Sequence, residues 1–312
     1  MENLEELINS YALSEDEKNR VGKIIFDKYT HGKGSSDRPF AIIVIGQPGA
    51  GKSGLMAYSE NQFETAISLD IDDLRAYHPK YDEVQDNHPE IFEKVTGRFA
   101  SSMIHYLTPK LIKEKHSLIF HKTRGDDAVI IDTIIPLQQN GYDVMLRILA
   151  VNHLESKMSA LERSLAEREK FNCCRWVLKD YHNNQYKGIP VLAEQIEKQE
   201  LVDLIEVFTR GEIPVLPKLQ YSKVVNSKIL TNPHMITKDG GLAVGDYNPN
   251  GYKSSQDAVN KAREIDVPKI LETIDSRLKN VKKRATKGDE KEYIDEVEEI
   301  AANYNAKING EG

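Results

Sequence analysis

Between about residues 40 and 210, continuous apolar runs alternate with stretches of helical periodicity. Phe40-Ala41-Ile42-Ile43-Val44-Ile45 contains no polar position and is rich in β-branched residues, the pattern of a strand buried on both faces. Similar runs occur at Ala66 to Leu69, Ser117 to Phe120, Tyr142 to Val151 and Leu204 to Phe208. Helical spacing falls between them. It covers Ser53 to Ser59, Ile71 to Tyr77, Val95 to Lys115, Asp126 to Asn140 with Gly141 as its stop, and Asn152 to Lys170. A polar loop is expected from His78 to Pro89, and a further helix from Ile189. Strand and helix alternating in this order predict an α/β fold: a mostly parallel sheet with helices on both faces.

The flanks read differently. Leu4, Leu7, Ile8 and Tyr11, then Val21, Ile24 and Ile25, recur at helical spacing, and Ser14 followed by Glu17 forms a capping-box start. His31 to Ser36 has the composition of a linker. Beyond Tyr221 the pattern weakens into a glycine- and asparagine-rich stretch from Thr237 to Ser255. A helical segment from Ala258 to Asn280 follows, broken at Val267-Pro268. The basic block Arg277 to Lys287 and the acidic block Asp289 to Glu299 meet at Gly288, which predicts a self-complementary helical hairpin. The expected division is an N-terminal helical segment and linker (1–37), a core (38–218) and a loop-rich then helical extension (219–312).

The strand at Phe40 runs into Gly46-Gln47-Pro48-Gly49-Ala50-Gly51-Lys52-Ser53, a match to G-x-x-x-x-G-K-[ST]. Its glycines let successive N–H groups point into one concavity at a helix N-terminus, where phosphate oxygens bind. Lys52 is expected to reach the β- and γ-phosphates and Ser53 to ligate Mg²⁺. The sheet pattern and this loop together predict a three-layer P-loop kinase fold. Three aspartates in four residues, Asp70, Asp72 and Asp73, follow the second strand, at the carboxyl edge where open α/β sheets bind ligands. Asp70 alone also suits a helix cap. That placement favours a small-molecule kinase, whose aspartate takes a proton from the acceptor hydroxyl. The third strand ends in His121-Lys122 without an acid, unlike a motor ATPase, and no Asn-Lys-x-Asp for guanine occurs. In the helix after residue 152, Arg163 lies about 180° around from the Leu154, Met158, Leu161 and Leu165 stripe. It therefore faces solvent, paired with Glu167, or a ligand. Arg163 and Arg175 flank a connection suited to a lid over the phosphates.

Composition narrows the class. A net charge of −7 over 312 residues argues against a nucleic-acid binder, and no apolar run approaches a membrane span. The acidic start MENLEELINS lacks the features of a secretory signal. The two cysteines, Cys173 and Cys174, are adjacent and read as free thiols of a cytoplasmic protein.

In combination these motifs resemble the zeta-toxin family, bacterial kinases of UDP-activated amino sugars. The phosphate loop has that family's form, Leu69-Asp70-Ile71-Asp72 is similar to its acidic pair, and His78-Pro79-Lys80-Tyr81-Asp82-Glu83 to its His-Pro-x-aromatic-Asp-Glu loop. Glu162-Arg163 and Arg175 match its two phosphate-clamping arginines. The likeness spans roughly 40–210. It implies ATP as donor on Gly46 to Ser53 and Mg²⁺ held by Ser53 and Asp70. It further implies Asp72 as base, with Lys52, Arg163 and Arg175 on the transferring phosphoryl group. The acceptor is expected at His78, His121, Thr123 and Arg124. Where the family has Glu-Gly-Thr-Gly-Arg, this chain reads His121-Lys122-Thr123-Arg124-Gly125. The preferred acceptor is the 3′-hydroxyl of UDP-N-acetylglucosamine, with NAD or another nucleotide as an alternative. A nucleotide-dependent switch without acceptor chemistry is the reading from another class. The resemblance also implies a small helical antitoxin as partner.

Overall fold

The computed structural model describes residues 4–122, 127–171, 176–210, 253–264 and 267–310, with three short strands at 223–225, 234–236 and 242–244. In chain order the first elements are α1 (Leu4–Ser10), α2 (Glu15–Thr30), β1 (Phe40–Ile45), α3 (Lys52–Gln62), β2 (Ile67–Leu69), α4 (Ile71–Arg75) and α5 (Tyr81–Asn87). Then come α6 (Phe92–Lys113), β3 (Leu118–His121), α7 (Asp127–Gln139), β4 (Asp143–Leu149), α8 (His153–Phe171), α9 (Lys179–Lys198) and β5 (Leu204–Phe208). The remainder is β6 (Lys223–Val225), β7 (His234–Ile236), β8 (Leu242–Val244), α10 (Ser255–Ala262), α11 (Val267–Arg284) and α12 (Gly288–Ile308).

The main sheet has the order β2-β3-β1-β4-β5-β6; its first five strands are parallel and β6 runs antiparallel to β5. β1 is central, with Ile42 opposite Ile119 of β3 on one side and Met145 of β4 on the other. Its residues divide strictly by parity. Ala41, Ile43 and Ile45 enter the layer shared with α6, α7 and α9, whereas Phe40, Ile42 and Val44 enter the layer under α3. Two covered faces leave no polar position in the strand.

Beneath α3 lies a buried charge. Arg147 of β4 is 1% exposed; its Nε donates to Glu206 of β5 at 2.9 Å, and its terminal nitrogens donate to Ser59 Oγ at 2.7 Å and Gln62 Oε1 at 2.6 Å. The guanidinium also lies within 5.2–5.7 Å of the Tyr58, Phe63 and Phe208 ring centroids. This single side chain ties the helix that carries the phosphate loop to two strands.

Two boundaries differ from the sequence pattern. The expected loop after His78 contains α5, a two-turn helix whose one buried residue, Val84, is too little for a periodicity to register. Helix α9 starts at Lys179 rather than Ile189, because its first turns bury His182 and Gln185 where a pattern reading looks for apolar residues. The predicted capping box at Ser14 and Glu17 is present, and α1 packs through Ile8 and Tyr11 against Val84, Ile91 and Val95. The apolar stripe of α8 faces α11 and α12, meeting Ile274, Leu278, Val281 and Val297. The C-terminal hairpin forms as expected, yet most of its charge goes to α8. Arg277 binds Glu155 and Glu162, Arg284 binds Glu169, and Lys157 binds Glu296, while Lys282–Glu298 joins the hairpin's own arms. Among the described residues no helix is long and apolar enough to cross a membrane.

Breaking the Arg147 ion pair leaves a buried, uncompensated carboxylate. Arg147→Met is expected to cost about 3–5 kcal/mol in denaturant unfolding, with much of the loss recovered by adding Glu206→Leu. A change below about 1 kcal/mol would show that the pair contributes little.

Candidate active site

The chain leaves β1 through Gly46 to Ser53 and re-enters helix at Lys52. Gly49 and Gly51 have φ of +75° and +93°, a region that side chains disfavour. At Gly49 there is also no room: a Cβ would lie 1.9 Å from the Ser156 carbonyl oxygen on α8. The loop is thus pressed onto a second helix along its outer side. Gln47 is buried and its Nε2 donates to the Val151 carbonyl at 2.7 Å, so its side chain anchors the loop, leaving its backbone for a ligand. Lys52 Nζ donates to the carbonyls of Gly46 at 2.8 Å and Gln47 at 3.2 Å. Burial, then the neighbouring Arg163, presses its pKa down to about 7, against the opposing pull of Asp72 and Asp70. Lys52, Arg163 and the two aspartates therefore share one electrostatic environment.

On the β2 side, Asp70 caps α4 by accepting from the Asp72 N–H at 2.9 Å. Its other oxygen meets His121 Nδ1, from the end of β3, at 2.8 Å. Asp72 is exposed in the first turn of α4, with Oδ1 3.2 Å from Arg75 Nε. Arg75 is itself fixed by the Glu93 carbonyl and Thr96 Oγ1, each at 3.0 Å. These groups open onto one cleft of about 1340 Å³, lined among others by Lys52, Ser53, Asp72, His121, Arg163 and Arg210. Arg163 pairs with Glu167 at 3.8 Å and still faces the cleft, so both readings of its position hold.

One expected role does not fit this geometry, and a second residue is engaged by protein neighbours. His78 is 3% exposed and does not line the cleft; its Nε2 lies 3.2 Å from the Tyr11 carbonyl and its Nδ1 accepts from Lys80 N–H at 3.1 Å. It is a structural anchor for the N-terminal segment, not an acceptor contact. Asp70, expected on Mg²⁺, has one oxygen in the helix cap and the other on His121. Thr123, Arg124 and Arg175 lie outside the described residues. The sequence reading overlooked Arg75, Lys122 and Arg210, all on the cleft wall. Only Arg75 carried a local signal, its i,i+3 relation to Asp72.

A parallel sheet whose central strand ends in a phosphate-binding loop, with acidic and basic groups converging at the carboxyl edge, defines a P-loop protein of the kinase-like kind. Within that class the chain belongs to the Zeta toxin family, whose sequence model matches residues 26–218. Toxin PezT of Streptococcus pneumoniae is 27% identical over 186 residues, covering 58% of this chain and 72% of PezT. Toxin zeta of Enterococcus hirae is 26% identical over 212 residues, covering 67% of this chain and 73% of that protein. A solved chain from the PezAT chromosomal toxin–antitoxin system of Streptococcus pneumoniae shares the fold, with a TM-score of 0.67 and 21% identity, over 87% of this chain and 98% of that one.

Gly49→Ala must displace α8 or the loop, and it is expected to abolish binding of a fluorescent ATP analogue; titration with wild-type affinity would contradict the contact. The Lys52 shift sets a pH dependence. Its pKa of about 7 in the free protein lies below the ordinary value near 10.5, and a bound phosphate favours the ammonium form. Binding then takes up a proton above pH 7, so affinity should fall by up to about tenfold per pH unit as pH rises from 7. Calorimetry in buffers of different ionisation enthalpy reads that uptake directly.

Proposed function

We propose that the protein is an ATP-dependent kinase that phosphorylates a sugar hydroxyl of a nucleotide sugar, with the 3′-hydroxyl of UDP-N-acetylglucosamine as preferred acceptor. On this reading it acts in the cytoplasm as the toxin of a toxin–antitoxin pair. The observation that carries the proposal is the convergence of Lys52, Arg163 and Asp72 on one cleft beside the phosphate loop. Membership of the Zeta toxin family supports it independently. The PezAT likeness supports a protein antitoxin as partner.

The acceptor hydroxyl hydrogen-bonds to the Asp72 carboxylate, which takes its proton as the oxygen attacks the γ-phosphorus and ADP leaves. Arg75 holds Asp72 through its Nε at 3.2 Å. Lys52 exchanges its bonds to the Gly46 and Gln47 carbonyls for phosphate oxygens, and Arg163 adds a second positive charge to the developing transition state. Ser53 is exposed on the first turn of α3 and suits a Mg²⁺ ligand; among the described residues no cluster of three acidic, His or Cys side chains could hold a metal. Bound Mg²⁺ would neutralise charge on the β- and γ-phosphates, with Ser53 as the protein ligand and phosphates and water as the rest. The His121–Asp70 pair at the acceptor end gives a specific reason to keep a second class of acceptor, NAD or another dinucleotide.

The test is incubation with ATP, Mg²⁺ and a panel of nucleotide sugars and dinucleotides, read by mass spectrometry. One acceptor should gain a phosphoryl group. Asp72→Asn should slow that transfer by about 10²–10⁴ and Lys52→Ala by about 10²–10³, with folding unchanged. Transfer at the wild-type rate by Asp72→Asn would remove it as base. ATP binding without transfer to any acceptor would favour a switch.

A further inference from the structure

Resting on the donor-site reading above, we propose that Arg210 is a nucleotide-contacting residue that covers the base of the bound ATP. We propose further that Glu155, clamped by Arg277 of the C-terminal hairpin, is the positioning residue that holds it there.

The argument begins with the sheet. Asp72 follows β2 and Arg210 follows β5, and these strands lie on opposite sides of β1. The phosphate loop at the end of β1 binds the triphosphate between them. The reacting γ-phosphate points toward Asp72, so the nucleoside leaves the loop toward β5. Arg210 stands at that exit. Its Nη1 is 3.5 Å from the Gly49 carbonyl, and its Nε lies 3.7 Å from where a Cβ on Gly51 would be. The side chain lines the same cleft as Lys52 and Arg163 and is 30% exposed.

One edge of the guanidinium is fixed. Arg210 Nη1 donates to Glu155 Oε1 at 2.9 Å and to Ser159 Oγ at 2.8 Å. Glu155 Oε2 accepts from Arg277 Nη1 at 2.5 Å, and Arg277 also grips both oxygens of Glu162, at 2.9 and 2.8 Å. One carboxylate on α8 thus bridges an arginine at the nucleotide exit and an arginine from α11. A planar cation held by one edge at a nucleotide cleft keeps its faces for stacking on a purine.

Calorimetric titration with ATP and with inorganic tripolyphosphate separates the roles. Arg210→Ala should weaken ATP binding by about tenfold or more while leaving tripolyphosphate within about twofold of wild type. Arg210→Lys keeps the charge without the plane, and its ATP affinity should stay near that of Arg210→Ala. Glu155→Gln should raise the KM for ATP rather than lower kcat. ATP affinity unchanged in Arg210→Ala, or equal losses for ATP and tripolyphosphate, would overturn the assignment. Melting curves guard against misfolding, with Arg210→Lys as the variant that preserves the ion pair. If the wild-type protein bound no ATP, the donor-site reading itself would fail; if it bound ATP and Arg210→Ala bound it equally, only the role of Arg210 would fall.

Discussion

The backbone of the phosphate loop and the backbone of α8 lie so close at Gly49 that nothing larger than hydrogen fits between them. This contact makes α8 part of the loop's wall. The same helix presents Arg163 into the cleft, Glu155 and Ser159 to Arg210, and an apolar stripe to the C-terminal hairpin. A shift of α8 would therefore move the loop's wall, Arg163 and the partners of Arg210 together. The opposite side of the loop is secured as firmly, by Arg147 beneath α3 and by Gln47 on the Val151 carbonyl. Rigid backing of this kind is what a site needs when its chemistry consists of positioning and charge stabilisation.

Charge is distributed unevenly over the cleft. Carboxylates gather at the β2 end, where Asp70 and Asp72 follow one short strand, and arginines gather toward α8 and β5. Arg75, paired with Asp72, is the arginine at the β2 end. Lys52 lies between the two groups, pressed toward neutrality by burial and Arg163 until a polyanion compensates. Its ammonium donates to two carbonyls of its own loop, those of Gly46 and Gln47.

Much of this was legible before any coordinates, and the boundary is physical. The strand at Phe40, the loop after it and the aspartates after β2 are local patterns, each within about ten residues. Arg163 was legible because the α8 stripe fixes which way the helix faces. Arg210, Arg147 and His78 were not, since each takes its role from a partner distant in sequence. Arg210 looks like any arginine at the end of a strand until α8 brings Glu155 against it. Arg147 sits in a run that reads as apolar, and only Glu206 and the three rings explain its burial. His78 looked functional because its neighbourhood matched a motif, yet the fold spends its imidazole on the Tyr11 carbonyl. The hairpin was recognised from its charge blocks, but most of its ionic partners lie on α8, which no local reading could supply.

The hairpin also bears on when the protein becomes competent. The apolar stripe of α8 is covered by residues that follow it by more than a hundred positions, as the Lys157–Glu296 pair, 139 apart, illustrates. During synthesis, the sheet and the phosphate loop emerge from the ribosome well before Arg277 can reach Glu155. The nascent chain thus holds its phosphate loop against a helix whose apolar stripe stays uncovered until α11 and α12 dock. Folding of the α8 wall is thereby coupled to a hairpin translated more than a hundred residues later.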